Sequence, residues 1–305
     1  MRKFILYIPI LLLVYSCEDD IKVEINEGEI QLSVDAFINN KKGPQRIILK
    51  ETKQFFGEAN QLPFMADSVY ITNNHGEKYM FEDLDGTGVY EWNQSDSSLV
   101  QQGDTYTLTI KESETVYTST SEAFPVAVID SINWVYSPPF FEGQNGTYIV
   151  EGVIRDLAGQ DDYTWVRIKI NNKYITRKSS IVIAKNNSNV GLDTDGDYFI
   201  PPAAWYTPPT NDSNAVIDIG DTVTYETWSV SEETSLFWSE VLNQNIDGAL
   251  GAIFATPTAN VRSNILSNST EVEKKAVGWF SVSLVNEETV IIYDKPGERL
   301  EFDTN

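Results

Sequence analysis

Few residues in this chain are of a type and spacing that could do chemistry. The segment DTDGDYF sets Asp193, Asp195 and Asp197 at alternate positions, as calcium ligands stand at places 1, 3 and 5 of a calcium-binding loop. The rest of that loop is missing. Tyr198 stands where the loop needs glycine, and Ala204 where it needs a bidentate glutamate. The favoured reading is a solvated acidic turn, with weak loop-bound calcium as the only cofactor the sequence suggests. Just beyond, YFIPPAAWYTPP places Tyr198, Phe199, Trp205 and Tyr206 among prolines. Rigid aromatic faces take sugar rings or peptide chains at small entropic cost. This stretch is therefore the expected ligand platform, against the plainer reading that the rings fold back and are buried.

Catalytic arrangements are harder to find. His75 is the single histidine and sits in the turn-like run Asn73-Asn74-His75-Gly76, with no nucleophile elbow beside it. There is no glycine-rich phosphate loop and no histidine pair of zinc-site spacing. Two carboxylates at a suitable separation can hydrolyse a glycosidic bond, and 45 acids supply many chance pairs. Glycan hydrolysis thus stands as an alternative with no catalytic residue to name, and the expectation is a protein that is not an enzyme.

The only cysteine, Cys17, lies between an apolar run and three acids. Arg2 and Lys3 precede Phe4 to Val14, a core of the length of a secretory h-region. It is too short to span a bilayer, which takes roughly 20 apolar residues. With Val14 three places before the cysteine and Ser16 just before it, the run resembles a bacterial lipobox, with the bulky Tyr15 as its one departure. The resemblance implies cleavage after residue 16 and fatty acylation of Cys17 with chains such as palmitate. Each buried methylene contributes about 0.8 kcal/mol, and two or more chains hold stably where one does not. Glu18, Asp19 and Asp20 follow at once and resemble the acidic export signal of lipoproteins sent to the cell surface.

The formal net charge is −23, and loss of Arg2 and Lys3 with the leader would make it more negative still. That argues against a nucleic-acid partner, since phosphate binding relies on clustered Lys and Arg. One cysteine leaves no disulfide and no thiolate metal site.

Positioning falls to strands. In QLSVDAFI, Leu32, Val34 and Ala36 share one face; in TYTLTIK, Tyr106, Leu108 and Ile110 do. Such alternation marks half-buried strands. SVYITNNHGEKYMF reads as a hairpin about its Asn-Asn-His-Gly turn, and WVRIKINNKYIT as a strand, an Asn-Asn turn and a second strand. One helix is predicted near 232–246, capped by Ser231, with Glu232 and Glu233 at the positive end of its dipole. Its apolar face carries Trp238, Leu242 and Ile246 beside Phe237 and Val241, and Asp247-Gly248 ends it. The helix is expected to cover an open face or edge of the second sheet, with the aromatic stripe as core. About 290 processed residues suggest two domains. The division is a signal peptide at 1–16, an acidic tether at 17–29, an N-terminal β-sandwich at 30–124, a larger C-terminal β domain at 126–295 and a tail at 296–305. The fold class is mainly β, with two antiparallel Ig-like or transthyretin-like sandwiches and one packed helix in the second.

Taken in order, CEDD, EIQLSVDAFI, SVYITNNHGEKYMF, GDTYTLTI, IDSINW, GDTVTYETWSVSEE, PTANVRSNI and GWFSVSLV resemble the Bacteroidota outer-membrane lipoproteins gathered as a domain-of-unknown-function family, DUF4249. The resemblance covers nearly all of the chain after the leader. It implies an outer-membrane lipoprotein, genetic neighbours among TonB-dependent transporters, and no catalytic residues. Three tripeptides also fit the O-glycosylation pattern of that lineage, at Ser68, Ser131 and Thr222; burial of a hydroxyl would exclude it. The expected role is a surface-exposed, lipid-anchored binding or accessory subunit for a TonB-dependent barrel, taking a glycan or peptide ligand. The rivals are the carboxylate hydrolase and a structural or adhesive surface protein.

Overall fold

The computed structural model describes residues 29–52, 61–93, 97–138, 146–175, 181–185, 196–199, 216–244 and 261–293. Its strands run β1 (Leu32–Asn39), β2 (Gln45–Glu51), β3 (Ser68–Asn73), β4 (Lys78–Phe81), β5 (Val89–Trp92), β6 (Thr105–Glu112) and β7 (Thr115–Glu122). Then come β8 (Val128–Ser137), β9 (Thr147–Arg155), β10 (Tyr163–Ile170), β11 (Lys173–Tyr174), β12 (Val182–Lys185), β13 (Tyr198–Phe199) and β14 (Thr222–Val230). Helix α1 (Glu232–Gln244) precedes β15 (Leu266–Ser267), β16 (Ala276–Ser283) and β17 (Val285–Ile291).

Alternation places the strands as expected. Leu32, Val34, Ala36 and Ile38 of β1 face inward, as do Tyr106, Leu108 and Ile110 of β6. They meet in one core between a sheet ordered β16-β1-β2-β5 and a facing sheet ordered β15-β7-β6-β3-β4. A second core lies between β13-β9-β8 and β11-β10-β14-β17, with β12 also on β10. Asn171 and Asn172 both take positive φ, 50° and 63°, in the tight turn joining β10 to β11, the backbone that a two-residue hairpin needs. The chain is mainly β, its sheets antiparallel within each half but for one pair.

That pair breaks the sequence division. β16 lies parallel to β1, Leu32 opposite Ala276 through Asn39 opposite Ser283, and β15 joins β7. Residues 266–283, assigned from sequence to the second domain, therefore complete both sheets of the first sandwich. Local patterning carries no sign of this, because an apolar strand fits either core equally well. Gly278 permits it: φ is +101°, and a Cβ there would stand 1.9 Å from the Val34 carbonyl oxygen. After Leu284 the chain continues as β17 into the other half. The Ser229 N–H donates to the Leu284 carbonyl and the Leu284 N–H to Ser229 Oγ, both 2.9 Å. One strap thus stitches the two sandwiches together.

Candidate functional site: an aromatic groove at the seam

The strap brings two sheets edge to edge, and their outer faces make a groove. On β1, the residues between the core positions point the other way, so Asp35 and Phe37 face the seam. On β10, Val166 and Ile168 enter the second core, which leaves Trp165 and Arg167 on the opposite face. Trp228 and Glu226 of β14 stand directly across from them, and Trp279 of β16 stands across from Asp35.

Helix α1 closes the groove. Ser231 Oγ accepts the Thr234 backbone N–H at 3.1 Å, the expected N-cap. Instead of covering one sheet, α1 bridges both. Phe237 stacks on Trp279 at 4.8 Å between centroids, while Trp238 lies 4.8 Å from Trp165 and 5.3 Å from Phe37. The aromatic stripe, read from sequence as core, is half-buried: Trp238 packs against a buried cluster of Tyr163, Trp165, Trp228 and Val230, and with Phe237 it also lines a cavity of about 570 Å³ together with Asp35, Arg167 and Val241. Four of the chain's seven tryptophans, at 165, 228, 238 and 279, converge at this seam. A volume of this size suits a small ligand.

The polar groups give the groove its character. The Arg167 guanidinium is packed among Tyr174, Trp165 and Trp228, at 3.8, 4.7 and 4.9 Å from their ring centroids. It has no ion pair or hydrogen-bond acceptor among the described residues. Burial lowers its pKa, with Tyr174, Glu226 and Asp35 pulling back. The indole N–H groups of Trp165 and Trp238 are buried and also lack an acceptor among the described residues, an arrangement that costs about 1–3 kcal/mol each. Asp35 is accessible from the cavity yet surrounded by protein. That loss of water raises its pKa, and Arg167 opposes the rise. The result is an apolar trough whose guanidinium has no acceptor among the described residues.

Beneath the groove lies a saturated charge cluster. Glu226 is fully buried, paired with Lys41 and, at 2.5 Å, with Lys169. The Tyr174 hydroxyl and Trp228 Nε1 donate to its Oε2 at 2.9 and 2.8 Å. Burial alone would raise its pKa, but hydrogen bonds from Lys169, Lys41 and Trp228 hold it at about 2. It remains ionised and orders the wall that carries Arg167. A second dent, of about 580 Å³, lies on the first sandwich and is lined in part by Arg46, Asp83, Leu84 and Glu91. Two of its acids are already engaged: Asp83 accepts the backbone N–H groups of Asp85, Thr87 and Gly88, and Glu91 pairs with Arg46. It offers a ligand less than the seam does.

The residues singled out from sequence fall elsewhere. Cys17, Glu18, Asp19, Asp20, Asp193, Asp195, Trp205 and Tyr206 lie outside the described residues, as does the expected helix stop at Asp247-Gly248. Phe199 packs against the second core, and Tyr198 carries Arg155 over its ring at 4.3 Å. Neither belongs to the groove. Asp197 is exposed, with its carbonyl accepting the Asp156 N–H. Ser131 Oγ is buried, which removes it as a glycosylation site; Ser68 and Thr222 are half-buried. His75 sits in its turn with Nε2 2.8 Å from Asp104 Oδ1. The groove itself went unseen from sequence. Its nearest signal was TWVRIK, in which Trp165, Arg167 and Lys169 share the face opposite the apolar one.

Fold and groove together define a two-sandwich β protein with an aromatic groove at its seam. The family described as Domain of unknown function (DUF4249) matches residues 18–289, and the chain belongs to it. No curated protein matches the chain. Among the described residues no helix is long and apolar enough to cross a membrane.

Proposed function

We propose that this is a lipid-anchored outer-membrane lipoprotein of a Bacteroidota cell, displayed at the surface, that binds a ligand without breaking bonds. It serves as an accessory subunit, with a TonB-dependent barrel as its partner. The observation that carries the binding role is Arg167, clasped by three rings at the rim of an aromatic cavity without an acceptor of its own among the described residues. The ligand fitting that chemistry is a sugar or peptide segment that lays an apolar face on the indoles and offers a carboxylate to the guanidinium. The anchor rests on Cys17 behind its apolar leader, and display rests on Glu18, Asp19 and Asp20.

Titration of the purified protein with acidic oligosaccharides and short peptides, followed by tryptophan fluorescence and calorimetry, tests the role. Saturable binding that Arg167→Met weakens at least tenfold is expected. If every ligand binds the variant and the parent equally, the groove is not the site. Release of free sugar from a bound glycan would instead favour the hydrolase. Replacing Cys17 with serine should abolish fatty-acid labelling and membrane association, and pull-down from detergent-solubilised membrane should recover the barrel.

A further inference from the structure

The loop between β9 and β10 starts at Asp156 and ends at Asp162, and its two carboxyl groups lie side by side. Asp156 is 6% exposed. Its Oδ2 accepts the Gly196 backbone N–H at 2.9 Å, but its Oδ1 accepts no hydrogen bond, and neither does either oxygen of Asp162. The Asp156 carboxyl, the Asp162 backbone N–H and Thr164 are all close to the Asp162 carboxyl but outside hydrogen-bond geometry. No cation among the described residues reaches the pair: Arg155 turns to Asp130 and the Tyr198 ring, and Lys185 lies over the Tyr163 ring. Burial, followed by the charge of Asp156, pushes the Asp162 carboxyl up to about 7. Two like charges withdrawn from water without a counterion are strongly unfavourable.

We propose that Asp156 and Asp162 bind a hard divalent cation, Ca²⁺ first, at the point where the β9–β10 loop meets Gly196 and Asp197. Buried carboxylate oxygens without partners are the donor type such ions take, and the site has no nitrogen or sulfur ligand to favour zinc. A cation here neutralises the pair. It also locks the loop to the segment leading into β13, since the Asp156 N–H already donates to the Asp197 carbonyl at 3.0 Å. This site is separate from the groove and does not depend on it.

The test uses the full chain in detergent, stripped with EDTA and then titrated with Ca²⁺. Calorimetry should show one site tighter than the general binding of a chain with 45 acids, and saturating Ca²⁺ should raise Tm by several degrees. Terbium luminescence, sensitised by nearby rings such as Tyr163, should appear in the parent and be displaced by Ca²⁺. Asp162→Asn and Asp156→Asn should each weaken binding at least tenfold. The Asp162→Asn variant loses a repelling charge, so it should fold even without metal. If Ca²⁺ and Mg²⁺ leave Tm unchanged at millimolar concentration, or if binding is weak, multiple and the same in Asp162→Asn, the pair merely shares a proton and the proposal fails.

Discussion

Glu226 and Asp162 are both carboxylates withdrawn from bulk water, yet their pKa values move in opposite directions. Burial is the first cause in each case and acts in the same sense. The neighbours decide the sign. Glu226 has two lysines, a phenol and an indole around it and is held at about 2; Asp162 has another acid and is pushed up to about 7. The first is complete within the described fold and supports a wall. The second has no such partners among the described residues, and the proposed cation would supply them. Burial alone therefore does not set the direction of the shift; the neighbouring groups do.

The largest effect should come from destroying the satisfied side. Glu226→Ala leaves Lys169 without its carboxylate and Lys41 with only the half-exposed Glu287, and chemical denaturation should show a loss of about 3 kcal/mol. Acid probes the same contrast. The folded pKa of Glu226 lies below its ordinary 4.5, so its contribution is full above that value and is lost as pH falls from about 4.5 through about 2. A urea midpoint unchanged across that window in the parent would deny the pairing.

On the other side the sign reverses. In EDTA, Asp162→Asn should stabilise the fold by about 1–2 kcal/mol, because it removes a repelling charge. In saturating Ca²⁺ the parent should become the more stable of the two. A smaller loss, of about 1–2 kcal/mol, is expected for Lys41→Met, since Lys169 still neutralises Glu226. Smallest of all, Arg46→Ala should change stability by less than about 1 kcal/mol, because its 2.6 Å pair with Glu91 is solvent-exposed. If Arg46→Ala costs as much as Glu226→Ala, the distinction drawn from burial and partners is wrong.

Much of the fold was open to reading along the chain. The inward faces of β1 and β6, the Asn171-Asn172 turn and the Ser231 cap each depend on residues within a few positions of one another, where backbone geometry sets the rule. Of the residues foreseen as a ligand platform, Tyr198 and Phe199 sit apart from the groove. An aromatic cluster among prolines in sequence says nothing about which rings end up around one cavity.

Period and turn chemistry were enough to establish a β-rich chain with one capped helix, because those signals are local. The parallel placement of β16 beside β1 joins residues far apart in the chain, as Leu32 opposite Ala276 shows, and no short-range pattern specifies such a partner. That pairing brings Trp279 to Asp35 and sets a ring of the first sandwich within reach of α1, whereas the rings around Arg167 come from β10, β11 and β14 of the second. The charges that matter most were likewise undecidable from residue type, since burial and neighbours, which exist only once the chain has closed, determine whether an acid is satisfied or waiting.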